Sequence, residues 1–204
     1  MTFKDHINKI VNKEMYSFSR WGDGEWLCLL GAKGMNCDKH QYFPELREAL
    51  KRVLESSPKY MIGLQNHARK SMGNAIDDTT SLFNLEWVAS DIFHNASING
   101  ELPLLIDALK GRNVVLVGAK HLKGFNGWKF IEVPSVDCWL NYEETLKELE
   151  ETIKKDDVVL FCASMMSNVL IDKLNGKATL IDVGSVFDPY VGVKSRTYHK
   201  TLKV

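Results

Sequence analysis

The chain has 204 residues, 45% hydrophobic and 25% charged, proportions that suit a globular α/β core and exclude disordered, collagenous and coiled-coil classes. Lys plus Arg and Asp plus Glu balance at 26 each, so the positive excess that broad nucleic-acid binding needs is missing. No apolar run approaches the roughly 20 residues of a membrane span, and residues 1–13 hold no apolar signal-peptide core, so a cytoplasmic protein is expected.

The four cysteines, Cys28, Cys37, Cys138 and Cys162, form no CxxC pair and no zinc-like spacing. Small buried thiols in a reduced protein are the expectation, with a catalytic thiol as the alternative. Neither a repeat nor a Gly/Ser/Pro linker divides the chain, and residues 1–204 read as a single domain.

Taken in order, Phe3, Ile7, Ile10 and Val11 recur at helical spacing. Residues 16–20 read as a short strand ending at Trp21-Gly22-Asp23-Gly24-Glu25, with a helix from about Trp26. Phe43, Leu46, Leu50 and Val53 mark a second amphipathic helix, with Pro44 in the first turn, where a missing N–H is harmless. A strand follows at 60–64, and 81–109 reads as mainly helical, broken at Gly100 and Pro103.

The second half alternates more plainly. Apolar runs at 114–117, 130–133, 158–161 and 180–183 stop at Gly118, Pro134, Cys162-Ala163-Ser164 and Gly184-Ser185. Between them, Tyr142, Leu146, Leu149 and Ile153 share one helical face, and 165–174 reads as a helix. Apolar strands alternating with helices predict βαβ units, hence an α/β, Rossmann-like fold whose mostly parallel sheet is flanked by helices. Ligands of such sheets bind beyond the carboxyl ends of the strands. That rule selects the loops at 20–25, 118–124, 163–167 and 184–188.

The loop after the first strand carries the densest chemistry. Arg20 can fork onto phosphate or carboxylate. Gly22 and Gly24 let backbone approach a ligand closely. Asp23 and Glu25 are hard oxygen ligands suited to Mn²⁺ or Mg²⁺ bridging a diphosphate. The plainer reading is an Asp-Gly turn with a glutamate favouring a helix start. The stretch is neither a P-loop nor a GxGxxG fingerprint.

This Arg-x-Gly-Asp-Gly-Glu stretch after a short strand resembles the family once called a domain of unknown function and now known as GT-D-fold glycosyltransferases. Weaker likenesses follow in order: Val117-Gly118, Val133-Pro134 with Asp137-Cys138-Trp139, and Ile181-Asp182-Val183-Gly184-Ser185. After Gly184 this chain has Ser185-Val186-Phe187-Asp188-Pro189-Tyr190, where the family often carries His and acidic residues. The resemblance implies a GT-D-like fold in which Asp23-Gly24-Glu25 is the Asp-x-Glu motif that holds the metal and the nucleotide sugar.

The expectation is metal-dependent transfer of a hexosyl group from a UDP-sugar donor to a hydroxyl of a glycan or glycoconjugate acceptor. Mn²⁺ or Mg²⁺ would sit on Asp23 and Glu25. The nucleotide sugar would meet Arg20, Gly22, Asp23, Gly24, Glu25, Gly118, Lys120, Ser164, Asp182 and Ser185. Asp188 or Asp137 would be the catalytic base of an inverting enzyme.

Each of these residues also has an ordinary role. Lys120, His121 and Lys123 make a solvated basic loop. Ser164, with Ser167, opens a helix as a plain cap. Asp188 and Asp137 serve as turn residues. Asp182, inside an apolar strand, needs a partner. Trp21, Trp26, Trp128 and Trp139 are candidates for stacking on uracil or sugar, against a role in packing. His67 and His94 read as structural. Two other functions compete: a nucleotide-sugar binding or sequestering protein without turnover, and a Rossmann-like transferase such as a methyltransferase. Stereochemistry, donor sugar, acceptor and homo-oligomerisation stay open at this stage.

Overall fold

The computed structural model describes residues 1–202. In chain order the elements are α1 (Phe3–Val11), β1 (Ser17–Trp21), α2 (Asp23–Leu29), α3 (Pro44–Glu55), β2 (Met61–Leu64), α4 (Asn66–Phe83), β3 (Trp87–Ala89), α5 (Ile92–Ile98), α6 (Leu102–Ala108), β4 (Val114–Gly118), β5 (Lys129–Glu132), α7 (Tyr142–Thr152), β6 (Val158–Cys162), α8 (Met166–Leu174) and β7 (Thr179–Asp182). All seven strands pair in parallel, in the order β3-β2-β1-β7-β6-β4-β5. The sheet is therefore wholly rather than mostly parallel, and it is α/β as expected.

Buried on both faces, the central strands have no polar side to show. On β4, Val115 and Val117 point to one layer and Val114 and Leu116 to the other; on β6, Val159 and Phe161 alternate likewise with Val158 and Leu160. The first layer holds Trp21, Trp26 and the apolar stripes of α3 and α8. The second holds Ile10, Phe18, Phe93, Leu102 and Leu105, from α1, β1, α5 and α6. Each such side chain, fully buried, is worth roughly 1.5–3 kcal/mol. Within the second layer, His6 is 0% exposed, its ring 4.8 Å from Phe18 and 5.0 Å from Phe93. His6 Nδ1 lies 3.0 Å from the Tyr16 hydroxyl, while Nε2 has no partner among the described residues.

Three features depart from or go beyond the sequence expectations. First, α2 begins at Asp23 rather than near Trp26, because Glu25 reaches back to the Gly22 N–H at 2.8 Å and starts the helix inside the motif. Second, 81–109 is not one broken helix. It comprises the end of α4, the three-residue strand β3 against β2, and two short helices. Third, α4 starts at Asn66, and its period is interrupted at Met72, where the backbone leaves helical values (φ −132°, ψ 28°).

All four cysteines are free thiols. Burial pushes Cys138 up to about 12 and Cys162 well above the ordinary thiol range, which keeps both protonated and unlike activated nucleophiles. Among the described residues no helix is long and apolar enough to cross a membrane.

Candidate functional site

In the middle of this sheet, from β1 through β7 and β6 to β4, neighbouring strands send their chains to opposite faces. After β1 and β6 the chain turns toward the layer of Trp26 and Met166; after β4 and β7 it turns toward that of Leu122 and Phe187. A crevice opens beyond the carboxyl ends of these four strands, as the connectivity rule for such sheets requires. It forms a cleft of about 880 Å³.

The β1 wall carries Arg20, Gly22, Asp23, Gly24 and Glu25. Asp23 Oδ1 accepts the Gly24 N–H at 3.0 Å. Glu25 Oε2 accepts the Gly22 N–H, and Oε1 lies 3.4 Å from Asn168 Nδ2 on α8. Desolvation pushes the Glu25 carboxyl up to about 7, against the pull of the backbone hydrogen bonds and of Arg20. Glu25 thus lines the cleft where burial disfavours its charge, which a hard divalent cation would compensate. Asp23 and Glu25 are hard oxygen donors of the kind Mn²⁺ or Mg²⁺ takes, and among the described residues no group of three or more His, Cys, Asp or Glu is placed to hold a metal ion.

Asp182 ends β7, beside β1 in the sheet. It accepts the Gly184 N–H at 2.9 Å and lies 3.9 Å from Arg20 Nη1. Burial pushes it up to about 6, with Arg20 opposing. Arg20 Nε is buried and, among the described residues, has no hydrogen-bond partner. The side chain fits only because residue 184 is glycine: a Cβ there would stand 2.0 Å from Arg20 Nη1, and φ is +62°. Gly184→Ala is expected to cost at least about 1–2 kcal/mol from the left-handed backbone, and to displace Arg20. Denaturant unfolding measures this, and wild-type stability in the variant would contradict the packing described.

Other expected residues are placed as follows. Ser164 (φ +49°) lines the cleft, and its Oγ accepts from Asn36 Nδ2 at 3.0 Å; it is not a helix cap, since the cap position of α8 is Met165. Ser167 Oγ accepts the Ala163 N–H at 3.3 Å. Ser185 lines the cleft and accepts from Arg196 Nε at 3.3 Å. Asp188 lines it too, with one oxygen 2.9 Å from His121 Nε2 and the other accepting the Ser195 hydroxyl.

Three expected residues do not reach the lining. Gly118 serves packing, since a Cβ there would stand 2.8 Å from Leu122. Lys120 is exposed, outside the lining. Asp137, in the left-handed region at φ +52°, has both oxygens held by Gln41, at 2.7 Å from its N–H and 3.0 Å from Nε2.

The tryptophans are packing residues. Trp21 and Trp26 are fully buried and meet Trp87 in the core. Trp139 stacks on Tyr142, and Trp128 packs on Phe125 and Phe187. The aromatic pair on the cleft is His94 with Tyr198, centroids 4.1 Å apart.

The sequence reading missed the segments that cover the cleft. Asn36 Oδ1 accepts the N–H groups of Asp38 and His40 and shapes the 36–40 loop. Arg196 joins that loop to the C-terminal segment through Asp38, Cys37 Sγ (2.9 Å) and Ser185. Neither segment is periodic, so no pattern marked them.

No family model matches this chain, and no curated protein matches it either. Solved structures do. One, described as a selenomethionine-substituted structure of domain of unknown function 1792, is 18% identical over 93% of this chain and 79% of its own, with a TM-score of 0.68. A second is described by the statement that the highly conserved domain of unknown function 1792 has a distinct glycosyltransferase fold. It is 17% identical over 95% of this chain and 82% of its own, with a TM-score of 0.65. The fold of this chain is thus the one described there as a distinct glycosyltransferase fold.

Proposed function

We propose that the cleft binds a UDP-sugar together with Mn²⁺ or Mg²⁺, and that the protein transfers the hexosyl group to a hydroxyl of a glycan or glycoconjugate. One observation carries this reading. In a glycosyltransferase-type fold, Asp23 and Glu25 line the cleft beside Arg20, at the end of the sheet where ligands of such folds bind.

Asp23 and Glu25 would hold the cation. When bound, it neutralises charge on the departing diphosphate. Two carboxylates fall short of a full coordination sphere, and diphosphate oxygens and water suit the remainder. Arg20, whose buried Nε has no partner among the described residues, adds fixed positive charge where negative charge develops. Lys120 lies outside the lining, so Arg20 is the cation assigned here. Of the two carboxylates expected as bases, Asp188 lies in the cleft and Asp137 outside its lining.

A thermal-shift panel of UDP, UDP-glucose, UDP-galactose and UDP-N-acetylglucosamine, each with Mn²⁺ or EDTA, tests the reading. Mn²⁺-dependent stabilisation and slow release of UDP from one of the sugars are expected. No shift with any of the four, with or without metal, would overturn it. Stabilisation by S-adenosylmethionine instead would point to a methyltransferase, and binding without release of UDP to a sequestering protein.

A further inference from the structure

Resting on the reading above, we infer that His121 is the catalytic proton acceptor of an inverting transfer, with Asp188 as its positioning residue. The two meet through the fold. His121 lies in the 3-10 turn Lys120–Leu122 after β4, and Asp188 opens the 3-10 turn Asp188–Val191 after β7. His121 Nε2 and Asp188 Oδ1 are 2.9 Å apart. The Asp188 side chain is 7% exposed and that of His121 32%, on the cleft wall.

The hydrogen bonds divide the roles. Asp188 Oδ2 accepts the Ser195 hydroxyl, and Oδ1 faces the imidazole. With both oxygens engaged and the group buried, Asp188 is poorly placed to meet an incoming hydroxyl itself. In the inferred arrangement Asp188 Oδ1 accepts from the imidazole, and Nε2 carries the proton and donates it. Nδ1 then holds the lone pair, and among the described residues nothing hydrogen-bonds to it. A carboxylate behind an imidazole fixes the tautomer and stabilises the imidazolium that forms.

A protein base of this kind belongs to an inverting course, since a retaining transfer has no need of one. Asp23, Glu25 and Arg20, where the diphosphate would leave, belong to β1 and α2. His121 follows β4, three strand positions away across β7 and β6. At about 4.8 Å per strand that is roughly 14 Å, room for a hexose between the leaving group and the base. The acceptor oxygen forms a bond to the anomeric carbon as its proton passes to Nδ1. The bond from that carbon to the diphosphate oxygen breaks, and UDP leaves with the electron pair. The imidazolium returns its proton to water.

Water can stand in for the acceptor, so the test is hydrolysis of whichever UDP-hexose of the panel the wild type cleaves fastest, with Mn²⁺ present. His121→Ala is expected to lower kcat by about 10²–10⁴-fold, leaving the donor KM and the UDP-induced thermal shift unchanged. Added imidazole should restore part of the rate. Asp188→Asn should lower kcat at least tenfold at unchanged KM, a split that general loosening of the fold would not give. Proton NMR should show the β-anomer of the hexose first, from an α-linked donor. The inference is overturned if His121→Ala keeps kcat within threefold of wild type while wild type hydrolyses the donor, or if the α-anomer appears first; the glycosyltransferase reading survives both results. A wild type that neither binds UDP nor hydrolyses a UDP-hexose sinks the two together. If buried Asp188→Asn fails to fold, the half-exposed His121 variant and the anomer still decide.

Discussion

Asp23→Asn and Glu25→Gln are each expected to abolish the Mn²⁺-dependent part of UDP stabilisation while leaving the unliganded protein folded. A ligand that binds only the native state adds RT ln(1 + [L]/Kd), about 2.7 kcal/mol at a hundredfold excess over Kd. For a chain of this size that is several degrees in Tm. The fold should survive for a local reason. Gln at position 25 keeps an oxygen that can accept the Gly22 N–H, so the start of α2 is preserved. Its charge was not supporting the fold, because burial already pushes the carboxyl up to about 7. Arg20→Lys is expected to weaken UDP binding even with metal, since a point charge cannot reproduce a planar fork. Thermal shifts in Mn²⁺ and in EDTA separate these effects. A wild-type Mn²⁺ response in both carboxylate variants would remove the metal from the motif.

Stability should fall in mild acid on account of His6, far from the cleft. The ring is buried among Phe18, Phe93 and Tyr16, and desolvation lowers its pKa from 6.5 to about 4. In the unfolded chain the ring takes up a proton near 6.5, in the folded chain only near 4. Between those values the unfolded state binds more protons, so His6's contribution is complete above 6.5 and is lost as pH falls toward 4. At 1.36 kcal/mol for each pH unit, the loss is about 3 kcal/mol. Glu25 and Asp182 have raised carboxyl pKa values and act with the opposite sign. The difference between wild type and His6→Gln therefore isolates the histidine. Urea unfolding from pH 7.5 to 4 should show that difference shift by about 3 kcal/mol in favour of the variant. A difference that does not change with pH would contradict the assignment, and UDP binding near neutral pH should be equal in both.

What the sequence revealed was what burial writes into it. Strands β4, β6 and β7 are continuous apolar runs because helices cover both faces, and each ends at residues a strand cannot continue. The loop after the short first strand led to Arg20, Asp23 and Glu25, and the ends of those runs to Ser164, Asp182, Ser185 and Asp188, all on the cleft. Strand β3 escaped notice because three residues at a sheet edge, Trp87-Val88-Ala89, are too few to show a period. His121 read as one member of a basic loop because its partner, Asp188, is 67 residues away and only the sheet order joins them. The link from Asp38 to Arg196 spans 158 residues for the same reason. Gly118 and Lys120 lie near a strand end, as the connectivity rule asks, yet the turn that follows points Ala119, His121 and Leu122 inward instead.

The place of β7 bears on how the protein is made. Its neighbours are β1 and β6, so without it the sheet divides into two three-stranded pieces, β3-β2-β1 and β6-β4-β5. A ribosome delivers residues 179–182 after the other six strands. Until then the growing chain holds two unfinished half-sheets, each with a bare parallel edge that invites pairing with other chains. Joining Ser17 to Leu180 and Phe18 to Ile181 closes a loop of more than 160 residues, the kind of long-range contact that slows folding. The same strand brings Asp182 to Arg20, so the walls of the cleft meet only once residue 182 has been made. A chain that stops short of residue 179 would be exposed to aggregation and would lack the Asp182 wall of the cleft, which ties the first appearance of the cleft to the arrival of β7.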